Sequence, residues 1–288
     1  MWLILSFINA AMTGLQNAYF KKRDVQISPI LMAWSVLVVS SILFSPLFLL
    51  GIPHLNHTFW VAVFWRLIID SLAFTLYIKG VQMSPLSLTA PMLSLTTLFV
   101  LITQFLIDHL VPTPIGVVGV IVIVIGIYIL HFDHDTKHIL SPFKAIIRER
   151  GVLIVSIAAI LWSFVVAFQK LGVDNSNPYF YTAFFQLFWA ICFTPVAIFT
   201  HRKEFLSILN FKMAKKLFPA GAFDAMQVFP QYVAYALALP VYVNAVGNTQ
   251  ILFSSIFGWF FYKEKLEKHI IPTILIVIGV VLVTIAQK

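Results

Sequence analysis

Charge is what this sequence has least of: Asp, Glu, Lys and Arg together supply only 10% of its 288 residues. With 60% hydrophobic residues and a mean hydropathy of +0.95, that shortage excludes a water-soluble fold, because too little polar surface is left to cover a core. Cysteine is nearly absent too. Cys192 stands alone, so no intrachain disulfide can form, and inside its apolar run it reads as a small buried hydrophobe. No segment fits GxxxxGK[ST], the phosphate-cradling loop of ATP-driven machines, and HExxH is missing as well. The first apolar run begins at Trp2 with no basic stretch before it and no small-residue cleavage site after it, so it is read as a mature helix. The net charge of +8 does not imply nucleic acid, since the lysines and arginines sit in short connections rather than on one basic face.

What remains is a chain of apolar runs, each close to the roughly 20 residues a helix needs to cross a bilayer. Ten helices are expected, over residues 2–20, 29–50, 59–80, 85–107, 113–131, 151–170, 178–200, 217–239, 240–262 and 269–286. Breakers and charges fall between them, in KKRDVQISP, GIPHLNHT, HFDHDTKHILSPFKAIIRER and HRKEFLSILNFKMAKK. The last two mix basic with apolar side chains and are expected to lie partly in the headgroup region. The fold class is therefore all-α, a polytopic membrane protein with the lipid bilayer as its solvent.

The chain also repeats itself. Lys21, Pro29 and Pro46 recur as Lys170, Pro178 and Pro195 at one constant offset, and Tyr77, Pro85, Asp70 and Gly126 recur as Tyr232, Pro240, Asp224 and Gly279 at slightly larger ones. We divide the chain into repeats over 1–145 and 146–288. Because each holds an odd number of helices, the second enters the membrane in the opposite sense, giving two inverted five-helix repeats.

Residues 77–129 and 235–283 resemble the second half of an EamA repeat of the drug/metabolite transporter superfamily, and AAILWSFVVAFQK, with Trp162 and Lys170, is similar to the family's first repeat helix. The likeness covers essentially the whole chain. Departures are the Ile107-Asp108 and Lys263-Glu264 pairs in place of Gly-Glu, and Thr13 where a tryptophan would stand. The resemblance implies a secondary transporter without a bound cofactor, often an exporter of amino acids or related metabolites.

Polar residues inside apolar runs mark the candidate site, since a charge at helix centre costs about 2.5 to 3.5 kcal/mol on insertion scales. Arg66 and Asp70 lie four apart on one face of the third helix, with Tyr77 continuing the stripe. They read either as a self-neutralising pair or as solute contacts. Asp224, Gln227 and Gln231 form a comparable stripe on the eighth helix, where no base lies within helical reach. Asn244 and Asn248 on the ninth helix, and Asn9, Thr13 and Gln16 on the first, add amides and hydroxyls. Trp34 and Trp162 are candidate pocket walls, and Gly116, Gly119 and Gly126 read as helix-packing positions.

Acid and base in one cavity suit a zwitterion. The expected protein is thus a plasma-membrane transporter with a small-molecule substrate, Asp70 and Asp224 accepting a proton or solute, and Arg66 contacting a carboxylate. Two rivals remain: a divalent-metal transporter using His131, Asp133, His134, Asp135 and His138, and a membrane-embedded lipid-modifying enzyme. Monomer and homodimer stay open.

Orientation follows from charge. Connections after the odd-numbered helices hold 16 of the 19 basic residues, which by the positive-inside rule makes them cytoplasmic and both termini external. The resemblance implies cytoplasmic termini instead. Cysteines placed at Lys144 and Lys212 are expected to be shielded from an impermeant thiol reagent outside intact cells, and one placed after Lys288 to react. The opposite labelling would overturn the charge-based orientation.

Overall fold

The computed structural model describes residues 1–20, 27–83, 92, 95–130, 149–262 and 270–287. Among these residues the ordered elements are helices. α1 is Trp2–Phe20, α2 Pro29–Phe44 with a 3-10 extension over Ser45–Leu50, α3 His57–Met83, α4 Thr96–Asp108 and α5 Pro114–Leu130. α6 is Arg150–Asp174, α7 Pro178–Thr200, α8 Arg202–Ile208, α9 Phe211–Leu237, α10 Pro240–Gly247, α11 Gln250–Tyr262 and α12 Ile270–Ala286. Among the described residues, four segments are long and apolar enough to cross a membrane: Ile30–Leu50, His57–Tyr77, Arg150–Asp174 and Pro178–Thr200.

Local chemistry sets the ends. Ser28 Oγ accepts from Leu31 N ahead of Pro29, and Asn177 Oδ1 accepts from Phe180 N ahead of Pro178, so both helices start on a side-chain cap followed by a proline that needs no donor. These two starts are 149 residues apart and belong to the repeat. Pro46 ends α2 in a 3-10 turn, whereas its counterpart Pro195 lies inside an unbroken α7. The helix expected over 240–262 is divided by a turn at Asn248 and Thr249. The break falls on Gly247-Asn248-Thr249-Gln250, a polar turn signal that the expectation of one continuous helix passed over.

The helices interleave rather than segregate. The most extensive contacts are α3 with α6, α5 with α12, and α1 with α9, and α2 lies against both α7 and α9. α5 and α12 cross through glycines: a Cβ on Gly119 would sit 2.8 Å from Val283, and one on Gly126 2.9 Å from Ile276. α8 is short and amphipathic, with Phe205 and Ile208 buried and Arg202 and Lys203 exposed, in keeping with an interfacial segment. Large apolar side chains cover the outside, as Ile42, Leu72, Ile102, Ile191 and Ile274 illustrate. Cys192 belongs to that outside. It was expected to be buried but is exposed, because the face of α7 that carries it points away from the bundle.

The tight α5–α12 crossing makes a stability prediction. Gly279 faces Ile123, whose Cγ1 would lie 2.5 Å from an added Cβ, so Gly279→Leu should destabilise by about 1–3 kcal/mol. Val277→Leu on the exposed face should leave the melting temperature of the purified protein nearly unchanged. Equal melting temperatures for the two variants would contradict this packing.

Candidate functional site

Four helices carry the strongest polar residues into the bundle. α3 presents Arg66 and Asp70, which are 2% and 6% exposed, so this charge is removed from both water and lipid. The guanidinium is satisfied from the second half of the chain: Nη1 donates to the Tyr181 hydroxyl of α7 at 3.1 Å, and Nη2 to the Tyr232 hydroxyl of α9 at 2.6 Å. Its plane lies over the Phe185 ring, 3.4 Å from the centroid. Nε stands 3.8 Å from Asp70 Oδ2 and makes an ion pair without a hydrogen bond.

Asp70 turns its other oxygen elsewhere, and Trp162 Nε1 of α6 donates to Oδ1 at 3.1 Å. The Trp162 ring also packs on Tyr77, with centroids 5.2 Å apart. Asp70, Tyr77 and Trp162 thereby form one wall of a cavity of about 510 Å³. The opposite wall comes from Gln231 of α9, Asn244 of α10, Asn248 at the helix break, and Gln250 and Ile251 of α11. Interrupting the helix here leaves backbone beside a cavity, where unpaired groups can be satisfied. Asn248 Nδ2 donates to Thr97 Oγ1 at 2.7 Å, and Asn244 Nδ2 to the Tyr235 hydroxyl at 3.0 Å.

Sequence reading named Asp70, Tyr77, Trp162, Asn244 and Asn248, and all five line this cavity. It missed Asn17, Thr96, Thr97 and Gln169. Gln169 had a signal, since it is a polar residue one turn inside the end of an apolar helix; buried, its Oε1 has no hydrogen-bond partner among the described residues. Arg66 lies behind Asp70 rather than on the cavity wall, its Nη groups taken by the two phenols. Asn9, Gln16, Asp224 and Gln227 gather at a separate place between α1 and α9. Trp34 belongs to neither group: it donates to Thr194 Oγ1 at 2.9 Å and packs on Phe205 at 4.8 Å. The His131–His138 loop, Lys137 and Lys144 lie outside the described residues, as do Lys263, Glu264 and Pro85.

A cavity lined by polar and aromatic side chains, among apolar helices whose outer faces suit lipid, is what a membrane transport protein requires. Residues 1–132 and 149–285 both match the model of the EamA-like transporter family, and the chain belongs to that family, within the drug/metabolite transporter superfamily. It is a multi-pass membrane protein. A solved structure described only as "Crystal structure of protein" is similar in fold, with a TM-score of 0.72 over 99% of this chain and 97% of that one, at 12% identity. A search of curated proteins finds no match.

Removing one member of a buried pair leaves the other charge stranded, at a cost of about 3–5 kcal/mol. Asp70→Asn keeps the shape and hydrogen-bonding size of the side chain while leaving Arg66 without its counter-ion. The purified variant should therefore melt well below the parent protein. An unchanged melting temperature would show that the two phenols alone suffice for Arg66.

Proposed function

We propose that this protein is a secondary transporter that moves a small polar metabolite, of the amino acid or related zwitterion class, through the Asp70 cavity. The observation that carries this reading is the composition of the cavity wall: one carboxylate, an amide oxygen without a partner among the described residues, several further amides, an indole and a phenol. Asp70 and Gln169 Oε1 are acceptors for an ammonium group. A carboxylate would be met by the second side-chain N–H of Asn17 or Gln231 rather than by Arg66, which the tyrosines hold back. Trp162 and Tyr77 offer flat apolar surface to the rest of the solute.

We take the architecture to be ten spanning helices in two inverted repeats, over 1–145 and 146–288. Supporting this, the contact of α3 with α6 and that of α1 with α9 exchange places when the halves are swapped, while α5 with α12 and α2 with α7 map onto themselves. α10 and α11 then form one discontinuous span. Two copies facing each other in opposite senses can rock about a site between them. Export, proton coupling and external termini complete the proposal, the first by likeness to the family and the last from the charge count.

Ligand binding to the folded state raises apparent stability by RT ln(1 + [L]/Kd), about 2.7 kcal/mol at a hundredfold excess over Kd. A thermal-shift screen of the purified protein against amino acids and simple amines should find compounds that raise the melting temperature. Trp162→Phe keeps an aromatic ring but loses the indole donor to Asp70, and should weaken that response at least several-fold. A response that Trp162→Phe leaves unaltered would place the solute elsewhere.

A further inference from the structure

The second intramembrane carboxylate does not face the cavity. Asp224 stands where α9 meets α1, α2 and α7, and its partners are neutral: Gln186 Nε2 donates to Oδ2 at 2.8 Å, Gln227 Nε2 donates to Oδ1 at 3.0 Å, and the side chains of Ser40 and Gln16 also hydrogen-bond to it. The same Gln227 amide donates to Gln16 Oε1 at 2.8 Å, and its own oxygen accepts from the Thr13 hydroxyl. Gln186 also donates to Ser40 Oγ at 3.2 Å. Gln16, Ser40 and Gln186 are buried at 6%, 0% and 2% exposure.

Among the described residues no cation pairs with this carboxylate. The titratable groups around it are otherwise engaged or remote. α1 contributes Tyr19, which donates to Lys216 O at 2.6 Å, and α2 contributes none. α7 contributes Tyr179, Tyr181 and Cys192, of which Tyr181 holds Arg66. On α9 itself Lys212, Lys215 and Lys216 are at least eight residues away, about 12 Å along the axis. Tyr232 and Tyr235 lie two or more turns the other way, bonded to Arg66 and Asn244. α6 brings Arg150 at its start and Lys170, paired with Asp174 at 2.6 Å; α8 brings Arg202, Lys203 and Glu204, the last accepting from Ser28 N; α10 brings Tyr242, bonded to Thr113.

The repeat explains how this place arose. Asp224 occupies the position of Asp70 in the second copy, but Ala220 stands where the first copy has Arg66, and Thr13 and Gln16 stand where α6 has Trp162 and Val165. The space that forms a cavity wall beside Asp70 is filled with amides beside Asp224. Where the first copy carries a permanent counter-ion, the second has none of its own, and a carboxylate at this depth is costly unless something neutralises it. The side-chain donors aimed at it are neutral, the amides of Gln186 and Gln227 and the Ser40 hydroxyl of α2, so none of them cancels its charge. Resting on the transporter reading above, we infer that Asp224 is the protein's proton-binding site, separate from the solute cavity at Asp70. The duplicated carboxylate has divided its work, one copy taking solute and the other taking the coupling proton.

Infrared difference spectroscopy on the full chain in liposomes, stepped from alkaline to acid pH without any solute, tests this. A carbonyl-stretch band of a protonated carboxyl should appear in the parent protein, vanish in Asp224→Asn, and return at a shifted frequency in Asp224→Glu. A band that survives unchanged in Asp224→Asn overturns the assignment. So does a rise in melting temperature when sodium replaces choline that is lost in Asp224→Asn, since the site would then hold a metal cation. Because the band is read without solute, its absence would leave the transport reading standing, and absence of solute binding would leave the band standing.

Discussion

A guanidinium enclosed by the helix bundle constrains everything around it. Arg66 cannot lose its charge at any accessible pH, so the bundle must supply partners for it. It does so with two phenols, an aromatic face and Asp70, drawn from α3, α7 and α9. The arginine is in the first half of the chain and both phenols are in the second, so each half is incomplete without the other. The same contacts orient Asp70, whose Oδ2 faces Arg66 and whose Oδ1 is left to Trp162 and the cavity.

The polar interior is thus graded. Behind Asp70 the groups are charged and paired; in front of it they are amides and hydroxyls, of which the Gln169 oxygen has no hydrogen-bond partner among the described residues. A solute entering the cavity meets a carboxylate already held in place, and the entropy of ordering that side chain has been met by folding. Asp224, by contrast, is surrounded by Gln16, Gln186 and Gln227. One protein thus holds two buried carboxylates with different surroundings.

Much of this was legible in the sequence, for physical reasons that differ by element. Helix starts at Ser28-Pro29 and Asn177-Pro178 were readable because capping is a local interaction. Asp70, Tyr77, Trp162, Asn244 and Asn248 were readable because a polar residue in an apolar run is costly without a purpose. The role of Arg66 was not: its partners Tyr181 and Tyr232 are 115 and 166 residues away, and spacing on one helix cannot show whether a side chain faces a cavity or a neighbour. Asp70 and Asp224 look alike in one dimension and differ only in what the other helices bring. Trp34 resembled Trp162 for the same reason, yet it packs on Phe205. The break at Asn248 and Thr249 had a local signal in Gly247-Asn248-Thr249-Gln250, but the length of the apolar run around it favoured one continuous span; in the structure Asn248 bonds to Thr97.

The central claim is that solute occupies the cavity walled by Asp70, Trp162 and Asn248. It is tested most directly by the alkylation rate of a cysteine placed at Asn248 in a Cys192→Ser background, measured in liposomes with and without a saturating mixture of amino acids. The account predicts that the mixture slows the reaction severalfold and that Trp162→Phe removes most of this protection. A rate independent of the mixture, alongside demonstrated transport of one of its components, would contradict it.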